Sequence, residues 1–238
     1  MTRAPLRGRR GMRAVLLLVL LSIFGSVSVC VAQGVVGSSG FLTAKSENIR
    51  SFRDARLGLF IHWGPISIKG LEIGSRVGRQ PGYGGPPVGG IPAAEYDDLY
   101  KQFNPTLFNA RQWMKLAKEA GCKYVVIVTK HLDGFCMFDT KLTDYKITNS
   151  PFKRDVVVEI AAACHKEGLR LGFYYEPTDW HHPDFLTKNH SRYKEYFRGQ
   201  IRKLPTNYGK VSEMWFDALT QETETWDSQG IFKMAREL

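Results

Sequence analysis

The stretch Lys123–Phe135, KYVVIVTKHLDGF, runs from a block of β-branched residues straight into lysine, histidine and aspartate. Its first half shows no apolar–polar alternation, so a strand here is covered on both faces, as strands of buried parallel sheets are. Its second half turns polar where that strand would end. Three further stretches share the form: LGLFIHWG at Leu57–Gly64, LRLGFYYEPTDW at Leu169–Trp180 and SEMWFDAL at Ser212–Leu219.

Helical spacing fills the intervals between them. Trp113, Leu116, Ala117 and Ala120 recur at i, i+3, i+4 and i+7 and stop at Gly121; Val157, Ile160, Ala161 and Cys164 repeat the pattern and stop at Gly168. Tyr193, Tyr196, Phe197 and Ile201 mark a third helix, expected to end before Pro205. The order is β-α-β-α-β-α-β, which predicts parallel strands in an α/β fold. A doubly wound sheet and a (β/α)8 TIM barrel both fit this order. No GxGxxG follows the first strand, and polar aromatic motifs close every strand instead of one switch point, which favours the barrel. The glycine- and proline-rich segment from Lys69 to Pro92 is then a long loop on the face that carries function.

The N-terminus belongs to a different class of segment. MTRAPLRGRRGMR holds five arginines and no acid, and the apolar run Ala14–Phe24 follows it. That is the pattern of a secretory signal peptide, with the cut expected after Ala32 and a linker over residues 33–45. An uncleaved anchor is the alternative, because the apolar run to Ala32 approaches the ~20 residues of a membrane span. Five of the 33 basic residues lie in this leader, so the remainder carries 28 basic against 23 acidic side chains, about +5 instead of +10. These charges are interspersed, not gathered in a stripe, so nucleic-acid binding has no support. Cys122, Cys136 and Cys164 show no CxxC spacing and are odd in number, which predicts buried thiols and not a disulfide framework.

Taken together, HWG, KHLDGF, YYEPTDW and WFDA resemble, in order, the strand-end motifs of the glycoside hydrolase family 29 α-L-fucosidases. The resemblance runs from about Ser46 to Leu219. It implies a retaining exo-glycosidase acting on terminal α-L-fucosyl residues of glycans, with no cofactor and with Asp217 as the attacking carboxylate. A strand end suits that role, because a nucleophilic carboxylate must be ionised and rigidly aimed. His62, Trp63, His131, Tyr174 and Trp215 are the substrate-binding residues that the resemblance implies, and Glu72 falls where the family has a substrate-contacting glutamate. Read alone, each has a plainer fate: an N-cap for Asp217, structural histidines, core filling for Trp215 and a solvated loop acid for Glu72. Alternation allows only one of Tyr174 and Tyr175 to face the site, and puts Trp215 on the same side of its strand as Asp217.

The sequence also departs from the family. Leu132 stands where a second histidine is usual, which predicts one lost sugar contact; Ala218 replaces a glycine, and Ile73 follows Glu72 where many members have tryptophan. His181, His182 and Asp184, with Asp179 and Glu176 nearby, could be read as a metal site, but adjacent histidines diverge in extended chain and HExxH is absent, so no metal is expected. The chain ends before a fifth strand, so the sequence is read as the first four units of a barrel, a truncated chain whose open edges are available for self-association. Glu222 and Glu224 are not in strand-end motifs, and no acid/base residue is assigned. The rival function is a sugar-binding remnant without catalysis. The leader predicts export, to the medium, periplasm or lysosome according to host, without lasting membrane insertion once removed.

Overall fold

The block Tyr124–Val128 does form a strand, and burial on both faces is the reason it lacks alternation: every residue of Tyr124–Lys130 except the first is buried. This is β2 of a four-stranded sheet seen in a computed structural model that describes residues 43–77, 90–217 and 226–238. The other strands are β1 (Gly58–Ile61), β3 (Arg170–Tyr175) and β4 (Glu213–Phe216), in spatial order β1-β2-β3-β4. All three pairings are parallel, with Phe60 beside Val126 and Tyr174 between Val128 and Trp215. The leader, nearly all of the linker, the centre of the glycine-rich loop (78–89), Ala218, Glu222 and Glu224 lie outside the described residues. Among the described residues, no helix is long and apolar enough to cross a membrane.

Among the described residues the α-helices are α1 (Ser46–Ala55), α2 (Ala93–Asp98), α3 (Ala110–Glu119), α4 (Val156–Glu167), α5 (His190–Asn207) and α6 (Ser228–Glu237). Two begin with a side-chain cap that takes up an orphan amide: Asn109 accepts from Gln112 N–H at 3.1 Å and Asp155 from Val158 N–H at 3.0 Å. Helix α4 stops at Gly168, whose φ of 69° is left-handed. Two sequence expectations are corrected. Leu116 is 66% exposed, and α3 buries Ala110, Met114 and Ala117 instead. Helix α5 passes through Pro205 to Asn207, because its buried stripe continues to Leu204 and the Thr206 hydroxyl donates to the Arg202 and Lys203 carbonyls. Cys122, Cys136 and Cys164 are free, buried thiols.

The two faces of the sheet have different tasks. Val125, Ile127, Leu171, Phe173 and Tyr175 pack with the helices in the main core. The opposite face carries Val126, Val128 and Tyr174, flanked by Phe60 and Trp215, which stay 37% and 48% exposed. A bulge in β2 decides what lies at its end: Val128 pairs with Tyr174, but Lys130 pairs with Tyr175. That slip of one residue sends Lys130 to the helix side, 4.9 Å over the Tyr175 ring, and returns His131 to the face of Tyr174.

Lys130, fully buried, then fastens β2 to the turn after β3. Its ammonium donates to the carbonyls of Glu176 and Thr178, both at 2.8 Å, and of His131 at 3.2 Å, and it lies 3.5 Å from Asp179 Oδ2. Asp179 Oδ1 in turn accepts from the amides of His181 and His182. Gly134 closes over this carboxylate with φ of 83°; a Cβ there would stand 2.4 Å from Asp179 Oδ1. Removing one partner of a buried pair strands the other charge, so Lys130→Met is expected to cost about 3–5 kcal/mol in urea unfolding. Adding Asp179→Asn should restore part of that loss. A Lys130→Met cost below about 1 kcal/mol would show that the ion pair does not hold the turn.

Candidate active site

The strand ends bring His62 from β1, His131 from β2, Tyr174 and Glu176 from β3, and Trp215 and Asp217 from β4 to one face. Residues two apart on a strand share a side, which is why Tyr174 and Glu176, and Trp215 and Asp217, arrive in pairs. The Tyr174 hydroxyl is the meeting point: it lies 2.8 Å from Asp217 Oδ2, 3.1 Å from Glu176 Oε2 and 3.2 Å from His131 Nε2. The His62 ring packs 5.6 Å from His131 and 5.4 Å from Tyr174, and stacks on Phe60 at 4.9 Å. Phe60 meets the Trp215 indole edge-on at 5.3 Å. The half-exposed indole leaves an aromatic surface open beside the carboxylate, the arrangement that stacks on the apolar face of a sugar.

Desolvation weakens both imidazoles as bases, His131 far more than the exposed His62. His131 is pushed down to about 3, first by burial and then by His62 and Lys130, with Asp217 opposing. His62 is also lowered by burial, against the pull of Asp217 and Glu72. A neutral imidazole offers one donor and one acceptor, which matches sugar hydroxyls and avoids a buried ion pair with the carboxylate. The Leu132 amide donates to His131 Nδ1 at 2.8 Å, so the ring hydrogen sits on Nε2 and points to the Tyr174 oxygen. Burial above all pushes the Tyr174 hydroxyl far above its ordinary range, so it remains a donor.

Not every expected residue joins this group. Trp63 follows His62 by one position and so points to the other side of β1, where its ring packs 5.2–5.4 Å from Phe103, Phe108 and Trp113. Glu72 is an exposed residue of the loop after β1, near enough to act on the His62 charge. Leu132 is buried in the main core and close to Gly74, so this position serves packing beneath the loop. His181 stacks on Tyr145 at 4.0 Å while His182 packs against Tyr193 and Tyr196. Among the described residues, no cluster of three or more His, Cys, Asp or Glu side chains could hold a metal ion.

Two residues of the site were not singled out by motif. Glu176 is entirely buried, its Oε1 accepting from the Thr178 amide at 3.1 Å. The period of two from Tyr174 was the available signal. Lys130 sits in the KHLDGF motif, but its role depends on the bulge, which no residue pattern announces.

A parallel α/β sheet with a carboxylate, neutral imidazoles and an exposed indole at its strand ends defines a domain of the glycoside hydrolase class. The sequence profile of the alpha-L-fucosidase family matches residues 42–238, and the chain belongs to that family, glycoside hydrolase family 29. It is 32% identical over 171 residues to alpha-L-fucosidase 1 of Arabidopsis thaliana, covering 71% of this chain and 29% of that protein. The crystal structure of a family 29 alpha-L-fucosidase from Bacteroides thetaiotaomicron superposes with a TM-score of 0.70 at 35% identity, over 82% of this chain and 46% of that one. The alpha-L-fucosidase AlfC from Lactobacillus casei, in complex with alpha-L-fucose product, gives 0.68 at 29% identity, over 80% and 68%. The chain spans less than half the length of the curated relatives it matches.

The depressed His131 carries a pH signature. A histidine whose folded pKa lies below its unfolded value of 6.5 contributes its full stability above 6.5 and loses it as pH falls toward about 3. One such group gives a slope of at most about 1.4 kcal/mol per pH unit. In urea unfolding between those limits, His131→Gln is expected to flatten the decline in stability relative to the native chain. Equal slopes for the two proteins would mean that the imidazole takes up its proton as readily in the folded as in the unfolded chain.

Proposed function

We propose that this chain carries the nucleophile and sugar-binding side of a retaining α-L-fucosidase, on the first four units of a (β/α)8 barrel. The observation that carries the reading is the 2.8 Å hydrogen bond from Tyr174 to Asp217, made where four strand ends converge beside an open indole. In this reading the Asp217 carboxylate attacks the anomeric carbon of a terminal fucosyl residue. The bond to the leaving oxygen breaks as a general acid protonates it, and water then hydrolyses the glycosyl ester. Tyr174 holds one oxygen of the carboxylate and so fixes the direction in which the group faces the sugar. The indole of Trp215 forms the apolar platform, and the imidazoles of His62 and His131 bond the sugar hydroxyls, with Glu72 reaching in from the loop. Trp63 supports His62 from behind through its packing on α3.

The substrates are fucosylated glycans, with no nucleic acid and no cofactor in the reaction. Residues 1–32 direct export and 33–45 link the leader to the catalytic region at 46–238. The open edges of the sheet, at β1 and β4, are where self-association would occur.

The test is turnover of an aryl α-L-fucoside by the native chain and by Asp217→Ala. Replacing a nucleophile is expected to lower kcat by about 10³-fold or more, with fucose binding retained. Turnover unaffected by the substitution would place the nucleophile elsewhere. Fucose binding with no turnover in the native chain would favour a sugar-binding protein.

A further inference from the structure

The Tyr174 hydroxyl has one hydrogen to donate but three polar neighbours within bonding distance, and the hydrogens can be assigned. His131 Nε2 brings its own, because Nδ1 is occupied by the Leu132 amide. The Tyr174 hydrogen has two carboxyl acceptors within reach, Asp217 at 2.8 Å and Glu176 at 3.1 Å. With both ionised they share that one hydrogen and two negative charges face a single hydroxyl. Protonating one of the two carboxyls removes that repulsion and supplies a hydrogen for the second contact.

Burial decides which. Glu176 has no exposed surface, whereas Asp217 is partly open to solvent, so the charge costs more at Glu176. The groups around Glu176 agree. Lys130, across from β2, spends its three ammonium hydrogens on main-chain carbonyls and pairs by charge with Asp179, not with the Glu176 carboxyl. Thr178 N–H donates to Oε1, the oxygen that stays a carbonyl when the acid is protonated. Asp217 faces it from β4 through Tyr174, His131 is neutral, and the Tyr193 hydroxyl of α5 donates to the neighbouring Pro177 carbonyl. Burial, and secondarily the charge of Asp217, raise Glu176 against the opposing influence of Thr178 and Lys130.

We propose that Glu176 is a positioning residue: a carboxylic acid held protonated beneath Tyr174, which donates to the phenolic oxygen and thereby commits the Tyr174 hydrogen to Asp217. The proposal rests on the reading of Asp217 as nucleophile for its catalytic consequence, but not for the protonation itself. When Glu176 loses its proton, two carboxylates compete for one hydroxyl hydrogen and the negative charges face each other across it. Asp217 is then less well held, and turnover falls on the alkaline side. Glu176 and Asp217 meet the same hydroxyl. The complete burial of Glu176, however, closes it off from a leaving group, so it acts through Tyr174 and not on the sugar.

The experiment is infrared titration of the full chain, comparing native protein with Glu176→Gln, whose amide can donate to Tyr174 and accept from Thr178. A carbonyl band of a protonated carboxylic acid is expected in the native protein at about pH 7 and is expected to vanish in Glu176→Gln. A native band that titrates away by about pH 5, or one that survives the substitution, would overturn the proposal. Tyr174→Phe serves as the second variant: the same band is expected to persist at a shifted frequency, and an unshifted band would overturn the link between the two groups. In fucoside turnover, the alkaline limb of kcat is expected to move up by about one pH unit or more in Glu176→Gln. An unmoved limb would overturn the positioning role. Absence of turnover in the native chain counts against the proposed function instead, and the infrared band still decides the state of Glu176.

Discussion

The site depends on one buried ammonium. Lys130 Nζ binds the carbonyls of Glu176, Thr178 and His131 and the carboxylate of Asp179, so the end of β2 and the turn after β3 cannot move independently. A lysine without solvent is tolerable only because its hydrogens find oxygen partners and an opposite charge lies beside it. The arrangement requires the β2 bulge. Without that slip Lys130 would face the Tyr174 side of the sheet and His131 the helices, exchanging the two side chains. Even the glycine of KHLDGF belongs to this constraint, since Gly134 gives the backbone room to lie against Asp179.

Upon that frame the electrostatics separate into layers. The buried layer is kept neutral where possible: His131 without a proton on Nδ1, Tyr174 protonated, and Glu176 an acid hydrogen-bonded to it. The outer layer carries the charge, in Asp217, beside the open rings of Phe60 and Trp215. A single negative charge on a neutral, hydrogen-bonding floor is what an attacking carboxylate requires. Several like charges in the same space would each raise the cost of ionising the others.

The sheet was legible because covered parallel strands give unbroken apolar runs, and YVVIV is such a run. The order of elements and the helix stop at Gly168 follow from local rules in the same way. The site was legible where alternation governs, as for Trp215 with Asp217 or Tyr174 against Tyr175. The same rule sets Trp63 on the helix side and Glu176 beside Tyr174. Leu116 and Pro205 misled because solvent-facing leucine and helix-internal proline are decided by neighbouring packing: Met114 fills the place that Leu116 was expected to take, and the stripe to Leu204 outweighs the proline. The role of Lys130 was not legible at all, since a bulge is a property of two strands together. Motif order, not any one motif, carried the family resemblance, and the match over residues 42–238 accords with it.

The central claim is that the carboxylate held by Tyr174 forms the covalent bond to the sugar. Its most direct measurement is mass mapping of the full chain after reaction with a 2-fluoro-fucosyl fluoride, which slows breakdown of a glycosyl ester. The account predicts one fucosyl adduct, on the peptide that contains Asp217, and none after Asp217→Ala. An adduct on Glu72, Glu176 or any other carboxylate would contradict it.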